Sequence, residues 1–153
     1  MVARGYTDVT GITMDDTDLE NCKSKGLIAY KQDFTFTDYE DASVDFLFCR
    51  QALEHSPMPI MTLLEFNRIM KMGAKGYIEV PAPGSDRKHE QNLNHFSIMG
   101  MEMWKQLLLR SGLDISWSTE YEFGMTDQIA NDIFVEQKDK FYMFTVVKTV
   151  ELK

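Results

Sequence analysis

Val44-Asp-Phe-Leu-Phe-Cys49, then Ser56-Pro57, then Tyr77-Ile-Glu-Val80 are the pieces that decide the fold. The first run is almost wholly apolar and has no helical period, which predicts a buried strand. Ser56-Pro57 is a helix-start signal, because proline is tolerated where its missing N–H costs nothing. Ile60, Leu63, Leu64, Asn67 and residues 69–71 carry the helix on to a stop at Gly73. Tyr77-Ile-Glu-Val80 reads as the next strand, ended by Pro81. Strand, helix and strand in this order predict a right-handed crossover between parallel neighbours.

The same alternation extends in both directions. Val9-Thr-Gly-Ile-Thr13 is a short β-branched strand, followed by a helix that Asp15 or Asp16 starts and Gly26 stops. Leu27-Ile-Ala-Tyr30 is a further strand, and an acidic loop through Asp38, Glu40, Asp41 and Ser43 leads into Val44. Downstream, residues 81–95 form a polar segment longer than the usual connection of roughly 2–6 residues, of the kind that covers a site. A helix over residues 98–111 follows, with Met101, Trp104, Leu107 and Leu108 on one face and Gly112 as its stop. Residues 113–123 and 141–150 read as two long strands, separated by Gly124 and a short helical insert over 126–131. The expected architecture is therefore α/β: a doubly wound, mostly parallel Rossmann-like sheet with helices on both faces and an antiparallel last strand, the final strand pair adding an antiparallel edge.

The 153 residues suit a single domain, 1–153. Apolar residues make up 44% and charged residues 26%, ordinary globular usage, and no run approaches the ~20 apolar residues that cross a bilayer. No secretory signal pattern opens the sequence, so a cytoplasmic protein with no membrane partner is expected. A net charge of −8 without a basic stripe disfavours a nucleic-acid partner. Cys22 and Cys49 have no metal-ligand spacing and read as reduced thiols. The methionines on the expected helices read as core filling.

Four blocks in order resemble the class I S-adenosylmethionine-dependent methyltransferases over nearly the whole chain. Val9-Thr-Gly-Ile-Thr-Met14 is similar to the family's second strand, and Gln32-Asp33-Phe34 to the acidic position after its third. Ser43-Val-Asp-Phe-Leu-Phe-Cys-Arg-Gln-Ala-Leu-Glu-His-Ser56 resembles the fourth strand and its Leu-Glu-His continuation. Glu65-Phe-Asn-Arg68 with Lys71-Met-Gly-Ala-Lys-Gly-Tyr-Ile-Glu-Val-Pro81 resembles the following helix, turn and fifth strand, with Met72 and Ala74 replacing Pro and Gly of the turn. The family's first strand, with its glycine-rich loop, has no counterpart here; Met1-Val-Ala-Arg4 looks like the last turn of the helix that would follow it, capped by Gly5. Thr13-Met14-Asp15 matches a branch with Gly-Ile-Thr-Leu-Ser rather than the commoner Asp.

The resemblance implies S-adenosylmethionine as cofactor and methyl transfer to a small-molecule or sugar-like acceptor. It places Thr13, Met14, Asp15 and Asp18 at the ribose, Asp33 and the backbone of Phe34 at the adenine, and Cys49 and Arg50 at the cavity. Thr13, Asp15 and Asp18 equally suit helix capping, Asp33 a solvated turn, and Arg50 an ion pair with an acid. Transfer from a sulfonium mainly needs the reactants held together and water excluded. Of the side chains suited to base work near neutrality, His55, His89 and His95, the loop residue His95 is the candidate base and His55 a structural cap. No metal site is expected, since His89 and His95 lack further ligands in a recognisable pattern.

A non-catalytic or truncated interaction module that binds cofactor weakly or not at all is the alternative. In the family the absent strand pairs with those at residues 9–13 and 44–49. Unpaired buried backbone groups cost roughly 1–3 kcal/mol each, so two such open edges rival a domain stability of about 5–15 kcal/mol. Either the two strands pair directly or a second copy supplies the partner, and a homo-oligomer is expected.

Overall fold

The computed structural model describes residues 5, 6, 8–130 and 133–152. Spatial proximity groups the chain into two units, Met1–Asp38 and Tyr39–Lys153. The helical turn expected over Met1-Val-Ala-Arg4 lies outside the described residues, while Gly5 takes the positive φ of 88° that suits a cap.

In the first unit, β1 (Thr10–Thr13), α1 (Asp16–Ser24) and β2 (Ile28–Lys31) form one βαβ crossover. The strands are parallel, in register from Thr10 opposite Ile28 to Thr13 opposite Lys31. Asp15 is the N-cap of α1, its Oδ1 accepting from the Asp18 N–H at 2.9 Å, with Asp16 and Asp18 adding negative charge in the first turn. The helix ends as Gly26 turns to φ 70°; its N–H reaches the Lys23 carbonyl and the Leu27 N–H the Cys22 carbonyl, both at 2.9 Å. No residue of α1 is buried, so capping rather than packing defines its ends.

The second unit runs β3 (Val44–Arg50), α2 (Pro59–Ile69), β4 (Met70–Pro81), α3 (Met101–Arg110), β5 (Leu113–Ala130) and β6 (Ile133–Lys148), with 3₁₀ turns at Leu53–His55 and His89–Gln91. The sheet order is β3-β4-β6-β5. β3 and β4 are parallel, and β6 is antiparallel to both β4 and β5. Alternation along β3 buries Leu47 and Cys49 on one face and exposes Phe46 and Phe48 on the other. The core combines Ile78, Val80, Phe144 and Val146 from the strands with Leu63 and Phe66 of α2 and Trp104 and Leu108 of α3. Two buried polar ties close the far end. Asn67 Nδ2 donates to the carbonyls of Gly112 at 3.2 Å and Val150 at 3.0 Å, and the Lys148 ammonium donates to the Met70 carbonyl at 2.9 Å.

The last strand is antiparallel, as expected, and the final pair supplies the edge of the sheet, with β6 beside β4 and β5 outermost. Several sequence expectations are corrected. Residues 126–130, expected as a helical insert, continue β5; Asn131 lies outside the described residues. α2 starts at Pro59, two residues after Pro57, and Pro59 takes the early helical position assigned to its neighbour. The helix stops at Ile69, not Gly73: Met70 already pairs with Val44, the next pair is Phe46 with Lys75, and residues 71–74 bulge outward with Gly73 at φ 77°. Within this unit α2 and α3 touch each other. Among the described residues, no helix is long and apolar enough to cross a membrane.

Candidate functional site

Beyond the carboxyl end of β3 the chain turns at Gln51, which takes φ 48°, a left-handed conformation that costs a non-glycine residue of order 1–3 kcal/mol and is concentrated at functional sites. The 3₁₀ turn that follows is anchored by Leu53, fully buried, and carries Glu54, only 2% exposed, and His55. The loop after β4 comes back to this turn. The Glu54 carbonyl accepts from the N–H groups of Phe96 at 2.8 Å and Ser97 at 3.1 Å, and Ser97 Oγ donates to the Ser56 carbonyl at 2.9 Å. These bonds bring His95, forty residues downstream in sequence, beside His55.

The three histidines form one stack. His55 and His95 meet edge to face with centroids 4.8 Å apart, and His89 and His95 lie nearly parallel at 5.4 Å. Each ring is oriented by a separate bond. His55 Nδ1 is 2.8 Å from the Asn94 carbonyl and His95 Nδ1 is 3.1 Å from the His89 carbonyl, so in both rings Nδ1 carries the proton and Nε2 the lone pair. Asn92 Nδ2 stands 3.1 Å from His95 Nε2 and donates to it. His89 Nε2 is 2.8 Å from Oδ1 of Asp139, a buried carboxylate on β6. A cavity of about 230 Å³ is lined by Gln51, Glu54, His55, His89, Asn92 and His95, with Arg87 also on its wall.

Burial sets the charge states. It pushes the Glu54 carboxyl above the usual carboxylate range, with the Glu79 charge adding to it, against its own N–H and the neighbouring His55 and His89. Glu54 Oε2 is buried and has no hydrogen-bond partner. Burial, and then the neighbouring His55, pull His95 below its ordinary value, while the His89 carbonyl works the other way. A cluster of imidazoles beside a carboxyl can exchange protons with a bound molecule or ligate a cation.

The other residues singled out from the sequence are distributed as follows. Cys49 is buried, and burial together with the Glu54 charge pushes its thiol up to about 12. Arg50 takes the ion-pair role, its Nε 2.9 Å from Oε1 of Glu79 on β4. In the first unit, the Gln32 N–H donates to the Thr13 carbonyl at 3.1 Å, extending the β1–β2 pairing and setting Met14-Asp15 beside Gln32-Asp33 at the carboxyl ends of two parallel strands. Thr13 Oγ1 accepts from the Asp15 N–H at 3.1 Å and Met14 is exposed. Asp18 sits exposed in the first turn of α1. Asp33 is exposed, its Oδ1 accepting from the Thr35 N–H at 2.7 Å in a tight turn, and Phe34 is half-buried.

Glu54, Asn92 and Asp139 are the residues that sequence reading passed over. A signal existed for the first: Glu-His after one strand and Asn-His in the loop after its parallel neighbour both fall at carboxyl strand ends, where a doubly wound sheet assembles its site. Asp139 had none, being recruited from the antiparallel β6.

The family model for the methyltransferase domain matches residues 1–78, and the chain belongs to the class I S-adenosylmethionine-dependent methyltransferases. No curated protein matches it in sequence. Among solved structures, a Bacillus halodurans protein superposes with a TM-score of 0.72 at 12% identity, covering 92% of this chain and 82% of its own. An Archaeoglobus fulgidus S-adenosylmethionine-dependent methyltransferase gives 0.68 at 16% identity, with 91% and 75% covered. The (4+2)-cyclase SpnF gives 0.71 at 15% identity, with 98% and 69% covered. At these identities the structures share the α/β methyltransferase fold with this chain, and the fold alone.

Proposed function

We propose that this chain transfers a methyl group from S-adenosylmethionine to a small-molecule or sugar-like acceptor in the cytoplasm, with His95 as the general base. The observation that carries this reading is the setting of His95. Its Nδ1 is committed to the His89 carbonyl, and its Nε2, which accepts from Asn92 Nδ2 at 3.1 Å, belongs to a residue on the wall of a polar cavity at the carboxyl ends of β3 and β4. A hydroxyl group that displaces the Asn92 amide meets a proton acceptor already held in the right tautomer.

For the cofactor, the adjacent ends of β1 and β2 fit the adenosine half. Asp33 offers a carboxylate to an amino group and Phe34 its backbone N–H and ring, while Thr13, Met14, Asp15 and Asp18 offer polar and apolar groups to a ribose. Cys49 and Arg50, in the second unit, remain candidates as well, though the Arg50 charge is balanced by Glu79. When bound, S-adenosylmethionine supplies an activated methyl on a sulfonium. The chain's own residues orient the partner and accept its proton.

Mass-spectrometric detection of methyl transfer to a panel of hydroxylated acceptors tests the reading. His95→Ala is expected to lower turnover about 10²–10⁴-fold. Equal turnover in the two proteins removes His95 from the mechanism. Calorimetric titration with S-adenosylmethionine measures cofactor binding independently of turnover. A non-catalytic binding module is the second reading. Fold does not fix chemistry, as the likeness to a protein named as a cyclase illustrates. Cofactor binding without transfer to any acceptor would select it.

A further inference from the structure

We infer that Glu54, His55 and His95 form a binding site for one divalent first-row transition-metal ion. One ligand atom from each residue lies within 4.8 Å of the others, close enough for a single ion to bridge all three after small side-chain adjustments. Two imidazoles and one carboxylate with the remaining positions open is a donor set that suits zinc, cobalt, nickel, manganese or iron(II) better than calcium or magnesium, which take mainly oxygen ligands.

Three independent features point to a cation. First, both rings direct Nδ1–H at a backbone carbonyl, Asn94 for His55 and His89 for His95, at 2.8 and 3.1 Å. This is the outer-shell arrangement that orients a ligating histidine to bind through Nε2, and at His95 the ion takes the place of the Asn92 amide that Nε2 accepts from at 3.1 Å. Second, Glu54, a residue of the cavity wall, is 2% exposed, and its buried Oε2 has no hydrogen-bond partner. A buried carboxylate oxygen left unsatisfied is destabilising unless a partner occupies the space beside it. Third, the cavity, at about 230 Å³, is below the roughly 300–1,000 Å³ of sites that enclose a whole organic ligand, but it is ample for an ion with its remaining water or acceptor oxygens.

The backbone holds the ligands in place before any ion arrives. The bonds from Phe96 and Ser97 to the Glu54 carbonyl lock the loop that carries His95 onto the turn that carries Glu54 and His55. Arg87 on the same wall weakens the attraction for a cation, and the Glu54 carboxylate opposes it. An ion takes the Nε2 lone pair of His95, so ligation and proton abstraction by that atom exclude each other. The ion's open positions, rather than His95, would then receive the acceptor oxygen.

The test is titration of the full chain, without cofactor or acceptor, with Co²⁺ followed by its visible absorption and with Zn²⁺ by calorimetry. One ion per chain is expected. Glu54→Gln, which keeps the side chain's shape, and His55→Ala and His95→Ala should each weaken binding about 10-fold or more, given that losing even an outer-shell partner costs ~10–100-fold. Lys105→Ala on α3 should leave binding unchanged. Circular dichroism and thermal unfolding accompany each variant, and Glu54→Gln decides the outcome if an alanine variant does not fold. Absence of binding to the native chain, or equal binding by Glu54→Gln and His55→Ala, overturns the inference. Because binding is read without turnover, a chain that binds the ion but transfers no methyl group refutes only the proposed function, and one that transfers methyl but binds no ion refutes only this site.

Discussion

Glu79 shows how single residues on β4 are held by bonds no local pattern announces. It is 4% exposed, yet it accepts from Arg50 Nε at 2.9 Å, Gln51 Nε2 at 3.3 Å and the Tyr77 hydroxyl at 2.5 Å. Partial burial first, and then the hydrogen bond to Glu79 and its charge, raise the Tyr77 phenol to about 12. The sign is that of an acid whose folded pKa is raised: the neutral phenol's contribution is complete below its unfolded value near 10 and is lost as pH climbs through about 12. Tyr77→Phe should therefore be less stable than the native chain at neutral pH, by about 1 kcal/mol for the lost bond, and the gap should shrink between pH 10 and 12. Urea unfolding at pH 7 and pH 11 measures both; an unchanged gap refutes the coupling. Cys49 gives a second residue-level outcome. With its thiol raised to about 12 by burial and by Glu54, it should be inert to a disulfide reagent at neutral pH in the native chain. Half-buried Cys22 should react, and a second equivalent should appear only on unfolding.

At the scale of elements, the strands and helices through α3 were legible because each carries its own period and its own stop. Gly26 and Gly112 end α1 and α3 in the expected left-handed conformation. What the sequence obscured were elements whose form depends on a partner. Gly124 and Asp127 resemble breakers when read locally, but β5 runs through them because β6 pairs with it from Leu113–Lys148 to Ala130–Ile133, and ladder pairing overrides local propensity. The end of α2 was misplaced for the same reason, since Met70 joins Val44 instead of closing another helical turn. Gly112 tests the far end of the unit. At φ 72° a side chain is strained, and a Cβ there would stand 2.8 Å from Asn67 Nδ2 and 3.2 Å from the Val150 carbonyl oxygen. Gly112→Ala should destabilise the chain by about 1–3 kcal/mol in denaturant unfolding, through strain and through the displaced Asn67 bonds. A change within about 0.5 kcal/mol would show that the Asn67 tie adjusts freely.

For the whole molecule, the sequence led to the family and offered His95 as a candidate, whereas the cluster around His95 arises only from tertiary structure. Glu54, His55 and His95 belong to two segments separated by a helix and a strand, and only the parallel β3–β4 pairing sets their ends side by side. The same pairing leaves one feature of the sheet open. Among the described residues β3 has a single hydrogen-bonded strand neighbour, β4, and no described strand pairs with its other edge. On one face of this strand Phe46 is 48% and Phe48 52% exposed, with Phe48 stacked on Tyr77 at 5.3 Å. An open edge beside exposed aromatic rings templates pairing with another chain, and the flanking Asp45 and Arg50 give only light charge protection, since each already has a partner, Lys71 and Glu79 respectively. The expected outcome is self-association through β3. Equilibrium sedimentation should show a mass that rises with concentration, and Phe46→Lys with Phe48→Lys should shift it toward monomer, because two charges on an edge strand oppose a symmetric pairing that places like residues near one another. A concentration-independent monomer in the native chain refutes this. Self-association that survives the double substitution would place the interface elsewhere.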